Sequence, residues 1–203
     1  MADSSQTSGC ISVAVLVSGS GTLLQAIIDH QSPDSYTVDL VVADVDCPAL
    51  DRARTAGIRT AVVALNGDRS EWNIRLRDAV SGADPDVVVS AGFMKIVGEE
   101  FLERFEGALI NTHPALLPAF PGAHAVRDAL EYGVKVTGTT VHYIDAGVDT
   151  GQIIAQRAVD VRAGETEEEL HERIKEVERA LIVDTLKRAH TGNTTTGKVE
   201  FTA

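Results

Sequence analysis

A doubly wound α/β fold with a mostly parallel sheet, formed as one domain, follows from three features of this sequence. Short apolar, β-branched runs that end in turn residues alternate with stretches of helical apolar spacing. The strand-like runs, such as VVVSA at 87–91, show no polar alternation, as expected where helices cover both faces of a sheet. Within 203 residues there is no repeat at the common periods and no low-complexity linker, so one folding unit is expected.

Ile11 to Val17 (ISVAVLV) reads as the first strand, and Leu23 to Ile28 as the helix after it, with SGSGT between them. The same beat returns in VDLVVAD then ALDRARTAG, in RTAVVAL then a helical stretch around Glu71 to Val80, and in DVVVSAG then EEFLERF. Together these predict a Rossmann-like core. After ALINTH the pattern changes to a loop with Pro114, Pro118 and Pro121, a helix near Val126 to Tyr132, and two strands, TGTTVHYI and QIIAQRAV, around a DAGVDTG turn. That pair predicts a hairpin at the sheet edge. From Glu167 to about Arg188, Leu170, Ile174, Val177 and Leu181 lie on one stripe behind a Thr166/Glu169 capping box, which predicts a long C-terminal amphipathic helix. The expected divisions are a flexible tail at 1–10, the domain at 11–189, and a tail at 190–203 whose KVEF segment could add an edge strand.

With 18 Lys and Arg against 30 Asp and Glu the formal charge is −12, which disfavours an electrostatic grip on nucleic acid or an anionic membrane. No apolar run reaches the roughly 18 residues a membrane helix needs, and MADSSQTSG has no basic region ahead of an apolar stretch. A cytoplasmic protein is expected. Cys10 and Cys47 are too few for a disulfide framework and lack zinc-ligand spacing, so buried or bystander thiols are expected.

Three places can carry chemistry. Ser18-Gly19-Ser20-Gly21-Thr22 follows the first strand and opens the first helix, where free backbone N–H groups and the helix dipole favour a phosphate. The loop lacks the Gly-Lys pair of a P-loop, and Leu24 stands where the dinucleotide fingerprint has its third glycine. Read alone, it is equally a tight βα turn that binds nothing. Asn111 and His113, at i and i+2 near the end of the fifth strand, project to one side and can present an amide and an imidazole to one point at the carboxyl end of the sheet. An isolated pair of this kind is as well explained by a turn-binding Asn and a satisfied core His. Asp149, between Gly147 and Gly151, could orient that imidazole and move protons. Asp145 is a rival for the role, and an Asp between glycines is often only a turn residue. No G-x-S-x-G elbow and no Cys/His signature points to a covalent acyl-enzyme, so direct attack by a substrate nucleophile fits better.

VLVSGSGTLLQAII, DVVVSAGFMKIV, INTHPALLPAFPGAHA and VTGTTVHYIDAGVDTGQII, in this order and spacing, closely resemble the phosphoribosylglycinamide formyltransferases, folate-dependent enzymes of purine synthesis. The likeness runs from about Ile11 to Arg188 and implies the formyltransferase fold. It implies that a glycinamide ribonucleotide amine attacks the formyl carbon of the co-substrate 10-formyltetrahydrofolate, without a metal. By the same likeness, Asn111, His113 and Asp149 are the catalytic set. Gly19, Ser20, Gly21, Thr22 and Leu23 would cradle the ribonucleotide phosphate, with Lys175, Glu176, Val177 and above all Glu178 at its sugar and glycinamide end. The folate would lie against Met94, Lys95, Ile96 and Val97, Asn111, and the backbone of Asp145, Ala146, Gly147, Val148 and Asp149, with Arg69 near its glutamate tail.

Three residues depart from the family pattern: Leu23 stands for a usual Asn, Lys95 for a common Arg, and Gln152 for a common Pro. Lys95 should matter little if the contact there is through main chain. The NTHPALLP and DAGVDTG blocks are shared with methionyl-tRNA formyltransferase and formyltetrahydrofolate deformylase. The first would need an extra carboxy-terminal domain and a basic surface for tRNA, and the second normally carries an amino-terminal regulatory domain; the length is expected to leave room for neither. The remaining alternative is a non-catalytic phosphate-binding α/β module. No motif speaks to assembly, and a homodimer is compatible with the sequence.

Overall fold

β1 (Ile11–Val17) is buried except at the half-buried Ser12, and its apolar side chains divide between two cores with period two. Ile11, Val13, Val15 and Val17 face one apolar cluster, and Ala14 and Leu16 the other. That division needs helices on both faces, which the chain supplies. α1 (Thr22–Asp29), α2 (Pro48–Thr55) and α6 (Glu167–Lys187) cover the first face, and α3 (Arg69–Ser81) and α4 (Glu99–Arg104) the second. This computed structural model describes residues 9–191 and 199–201.

The remaining strands are β2 (Tyr36–Ala43), β3 (Arg59–Val62), β4 (Val87–Ser90), β5 (Leu109–His113), β6 (Val136–Tyr143) and β7 (Ile153–Asp160). The seven strands stand in the order β3-β2-β1-β4-β5-β6-β7. β1 to β5 are parallel, and β6 and β7 form the expected antiparallel hairpin at the edge. The winding reverses between β1 and β4, so the loops that follow these two strands splay apart there and leave a crevice at their carboxyl ends.

The other helix, α5 (Ala125–Tyr132), packs with α6 over a smaller cluster of Val126, Val159, Leu170 and Ile174. Both halves of the capping box at Thr166 and Glu169 are made, so α6 starts where the sequence predicts. Asp68 caps α3 by accepting from the Glu71 N–H at 3.0 Å, and the helix begins at Arg69, two residues before the expected Glu71.

The polar stretch at 1–8 and the turn-rich stretch at 192–198 lie outside the described residues. The strand expected in KVEF is β9 (Val199–Phe201), which pairs with β8 (Ala189–Thr191) in a separate two-stranded ladder and not with the edge of the main sheet. Cys10 is exposed and Cys47 partly buried.

Candidate active site

The glycine loop bridges β1 and α1 at the switch point. Gly21, the residue that caps α1, has φ +71°, and no side chain caps the helix. A Cβ at Gly21 would lie 2.6 Å from Ala49 Cβ, so only glycine allows this approach to α2. Two bonds tie the loop to α2: the Ala49 N–H donates to the Gly19 carbonyl at 3.1 Å, and Arg52 Nε donates to the Ser20 carbonyl at 2.8 Å. Leu23, named among the phosphate contacts, is buried in the core, so its side chain does not face a ligand.

β5 lies between β4 and β6, which places its last residues at the centre of the crevice. Asn111 and His113 line one cavity of about 360 Å³, on the α3/α4 side where Leu16 and Leu109 form the floor. His113 is buried; its Nε2 is 2.8 Å from the Phe120 carbonyl and its Nδ1 is 3.3 Å from Asp149 Oδ2. Both ring nitrogens face acceptors, an arrangement that the doubly protonated imidazolium satisfies. Asp149 sits at φ +54°, a left-handed conformation that Asp tolerates better than most residues, and its Oδ2 also accepts from the Gly122 N–H at 2.8 Å. Asp145, the rival, has its carboxylate taken up inside the loop: Oδ1 accepts from the Gly147 N–H at 3.0 Å and from the Thr150 hydroxyl at 2.6 Å. Of the two, Asp149 faces the imidazole.

His142, which sequence reasoning did not single out, is the fourth member of this group. The antiparallel register sets it directly opposite Asn111. Its Nδ1 donates to the Tyr143 carbonyl at 2.8 Å, which leaves Nε2 to accept from Asn111 Nδ2 at 3.4 Å; the same Nε2 is 3.6 Å from Asp149 Oδ1. Burial lowers the His142 pKa, against the opposing pull of the Tyr143 carbonyl and Asp149. Below the ordinary histidine value of about 6.5 the unfolded chain therefore binds a proton here that the folded chain resists, and stability is lost as pH falls through that window. The decline of the urea midpoint between pH 7 and 5 should be shallower in His142→Asn than in the parent chain. An equal slope would show that His142 carries no such linkage.

Thr112 points to the opposite face, toward the Glu178 carboxylate of α6. Burial raises the Glu178 pKa, opposed by Thr112, Lys175, Arg179 and His113. Lys175 is ion-paired with Glu172 at 2.8 Å, Val177 packs on the α5/α6 cluster, and Glu176 is exposed. Glu178 is thus the member of 175–178 brought to the tip of β5. Asn111 and His113 thus face the cavity from one side of that tip, and Thr112 and Glu178 lie on the other.

The far wall of the cavity is formed by Met94 to Val97 and by Asp145 to Asp149. Met94 and Ile96 are exposed apolar side chains at the rim, while Val97 belongs to the core. Arg69 does not line the cavity; its guanidinium donates to the Ile96 carbonyl at 2.7 Å and so holds the rim from outside. Lys95 has more consequence than a main-chain contact: its Nζ is 3.1 Å from the buried Asp44. Asp44 also accepts from the Ser18 hydroxyl at 2.6 Å, and Ser18 Oγ accepts from the Met94 N–H at 2.8 Å. The cavity rim and the glycine loop are therefore joined through one buried carboxylate. Among the described residues no cluster of metal-ligating side chains occurs, and no helix is long and apolar enough to cross a membrane.

A glycine loop at a switch point, an apolar-floored cavity, and an Asn–His–Asp group on its wall with His113 buried define an α/β protein with a candidate active site at the carboxyl ends of its strands. Comparison with known proteins narrows it. Residues 11–186 match the formyl transferase family. A phosphoribosylglycinamide formyltransferase of Mycobacterium tuberculosis is 51% identical over 175 residues, covering 84% of this chain and 81% of that one. The phosphoribosylglycinamide formyltransferase of Escherichia coli is 39% identical over 176 residues, covering 84% and 83%. The crystal structure of glycinamide ribonucleotide transformylase 1 from Symbiobacterium toebii superposes with a TM-score of 0.85 at 37% identity, covering 96% of this chain and 95% of that one. The chain belongs to the formyl transferase family, within its phosphoribosylglycinamide formyltransferase branch.

Proposed function

We propose that the chain transfers the formyl group of 10-formyltetrahydrofolate to the amine of 5′-phosphoribosylglycinamide, giving formylglycinamide ribonucleotide and tetrahydrofolate in purine biosynthesis. The observation that carries this reading is the buried His113, with acceptors at both ring nitrogens, beside Asn111 and Asp149 on the cavity wall. The amine nitrogen attacks the formyl carbon, whose carbonyl electrons move onto oxygen. Asn111 Nδ2 donates to that oxyanion, a donor worth about a hundred- to a thousand-fold in rate, and the positive charge of the adjacent His113 imidazolium stabilises it further. Asp149 keeps the imidazole cationic and takes the proton released by the amine, directly or through water, for delivery to the folate nitrogen as the carbon–nitrogen bond to it breaks. Protein donors meet the developing charge, so the step is routed through no metal.

The ribonucleotide phosphate would rest on the backbone N–H groups of Gly19 to Leu23, with Glu178 at its sugar and glycinamide end. The folate would fill the cavity of about 360 Å³ against Met94 to Val97 and Asp145 to Asp149. A net charge of −12 does not oppose two anionic ligands, because the long-range field is screened over about 8 to 10 Å at physiological salt while the loop acts at contact distance. The same charge disfavours tRNA as the acceptor. Small soluble substrates suit a cytoplasmic enzyme.

Incubating the chain with 10-formyltetrahydrofolate, with and without 5′-phosphoribosylglycinamide, tests the reading through tetrahydrofolate release. Release that requires the amine is expected. Release without it would make the chain a deformylase, and none with both would make it a binding module.

A further inference from the structure

We propose that Arg52 is a positioning residue for the phosphate loop, turning the loop's amide donors toward the ligand and adding positive charge behind them. The proposal rests on the reading above, that this loop takes the ribonucleotide phosphate. In a trans peptide unit the carbonyl and the N–H point in opposite directions. The Ala49 N–H holds the Gly19 carbonyl toward α2, which sends the Ser20 N–H away from α2. Arg52 Nε holds the Ser20 carbonyl toward α2 at 2.8 Å, which sends the Gly21 N–H the same way. Two successive amides are thereby turned to the side away from α2 at the start of α1, the kind of paired donors that suit an anion. The first is fixed by main chain. The second depends on one side chain, at a peptide unit flanked by Gly21, which has no Cβ to restrain its rotation.

Arg52 is itself held in place, since its Nη1 donates to Gln25 on α1 at 3.1 Å. Both of its partners are neutral oxygens. Asp29 and Asp51 line the shallow groove beside it, yet among the described residues no carboxylate lies within ion-pair distance of its guanidinium. In a chain of net −12 this is a cation with no carboxylate partner among the described residues, at the back of an anion loop. With Leu23 turned into the core, the main-chain donors that Arg52 orients carry more of the phosphate binding.

The test compares Arg52→Met and Arg52→Lys with the parent chain, using kcat/KM for 5′-phosphoribosylglycinamide and for its dephosphorylated form at saturating 10-formyltetrahydrofolate. Removing one charge-assisted bond and its charge should lower kcat/KM for the phosphorylated amine about tenfold or more in Arg52→Met. The dephosphorylated amine should change by less than about twofold on the same footing, because it lacks the group the donors serve. Arg52→Lys keeps the charge without the fixed Nε geometry and should recover part of the loss. Equal losses for the two amines would reveal a general structural role and overturn the proposal, as would an Arg52→Met chain indistinguishable from the parent. A parent chain that handles both amines alike would remove the phosphate from the loop altogether, and an inactive parent would overturn the functional reading first.

Discussion

Asp149→Asn is expected to lower kcat by about a hundred- to ten-thousand-fold, the usual range for losing a positioned acid–base group. The substitution isolates the charge. Asn is nearly isosteric with Asp and, like it, tolerates the φ of +54° that the loop imposes. Its side-chain oxygen can still accept from the Gly122 N–H, which in the parent chain bonds Asp149 Oδ2 at 2.8 Å. What disappears is the anion 3.3 Å from His113 Nδ1, and with it the acceptor that favours an imidazolium able to stabilise the oxyanion. The ribonucleotide loop is untouched, so ribonucleotide affinity measured by calorimetry should stay within about twofold while single-turnover formyl transfer collapses. Unaltered turnover would take Asp149 out of the mechanism. Asp145→Asn is the useful contrast. Its carboxylate serves the Gly147 N–H and the Thr150 hydroxyl, both of which a carboxamide oxygen can also accept, so a much smaller loss is expected.

Gly21→Val should raise the dissociation constant for the ribonucleotide by about tenfold to a hundredfold and also destabilise the fold, because the residue is strained in two ways. A β-branched side chain is strongly disfavoured at φ +71°, and its Cβ would fall 2.6 Å from Ala49 Cβ and 2.8 Å from Ala49 Cα. Since α2 holds the loop through Ala49 and Arg52, the clash must displace the amides of Ser20 and Gly21 from the directions that suit a phosphate. Affinity for 10-formyltetrahydrofolate, measured on the same folded variant, should change far less. An unchanged ribonucleotide affinity would place the phosphate elsewhere.

Much of the site is legible because it lies in contiguous segments at predictable places. A glycine loop after the first strand, an Asn and a His two residues apart in the fifth, and an Asp in a glycine-rich turn are local patterns, and an open parallel sheet collects strand ends at one edge. Residues that act across the fold leave no such trace. His142 reaches Asn111 through the register of an antiparallel pair, which side-chain alternation within either strand does not specify. Lys95 and Asp44 are an ion pair joined from the loops after β4 and β2, and each alone reads as an ordinary surface charge.

The order of elements, the two-faced burial of the sheet and the position of the glycine loop were determined by the sequence alone, because the period of apolar residues and the turn chemistry are properties of neighbouring positions. The partners of His113, the exclusion of Asp145 by its own loop, the inward turn of Leu23 and the grip of Arg52 on Ser20 were decided only by the tertiary structure. Each depends on a rotamer, a register or a helix placement that brings distant positions within about 3 Å of one another, and hydrogen bonds discriminate at that scale while sequence periodicity does not.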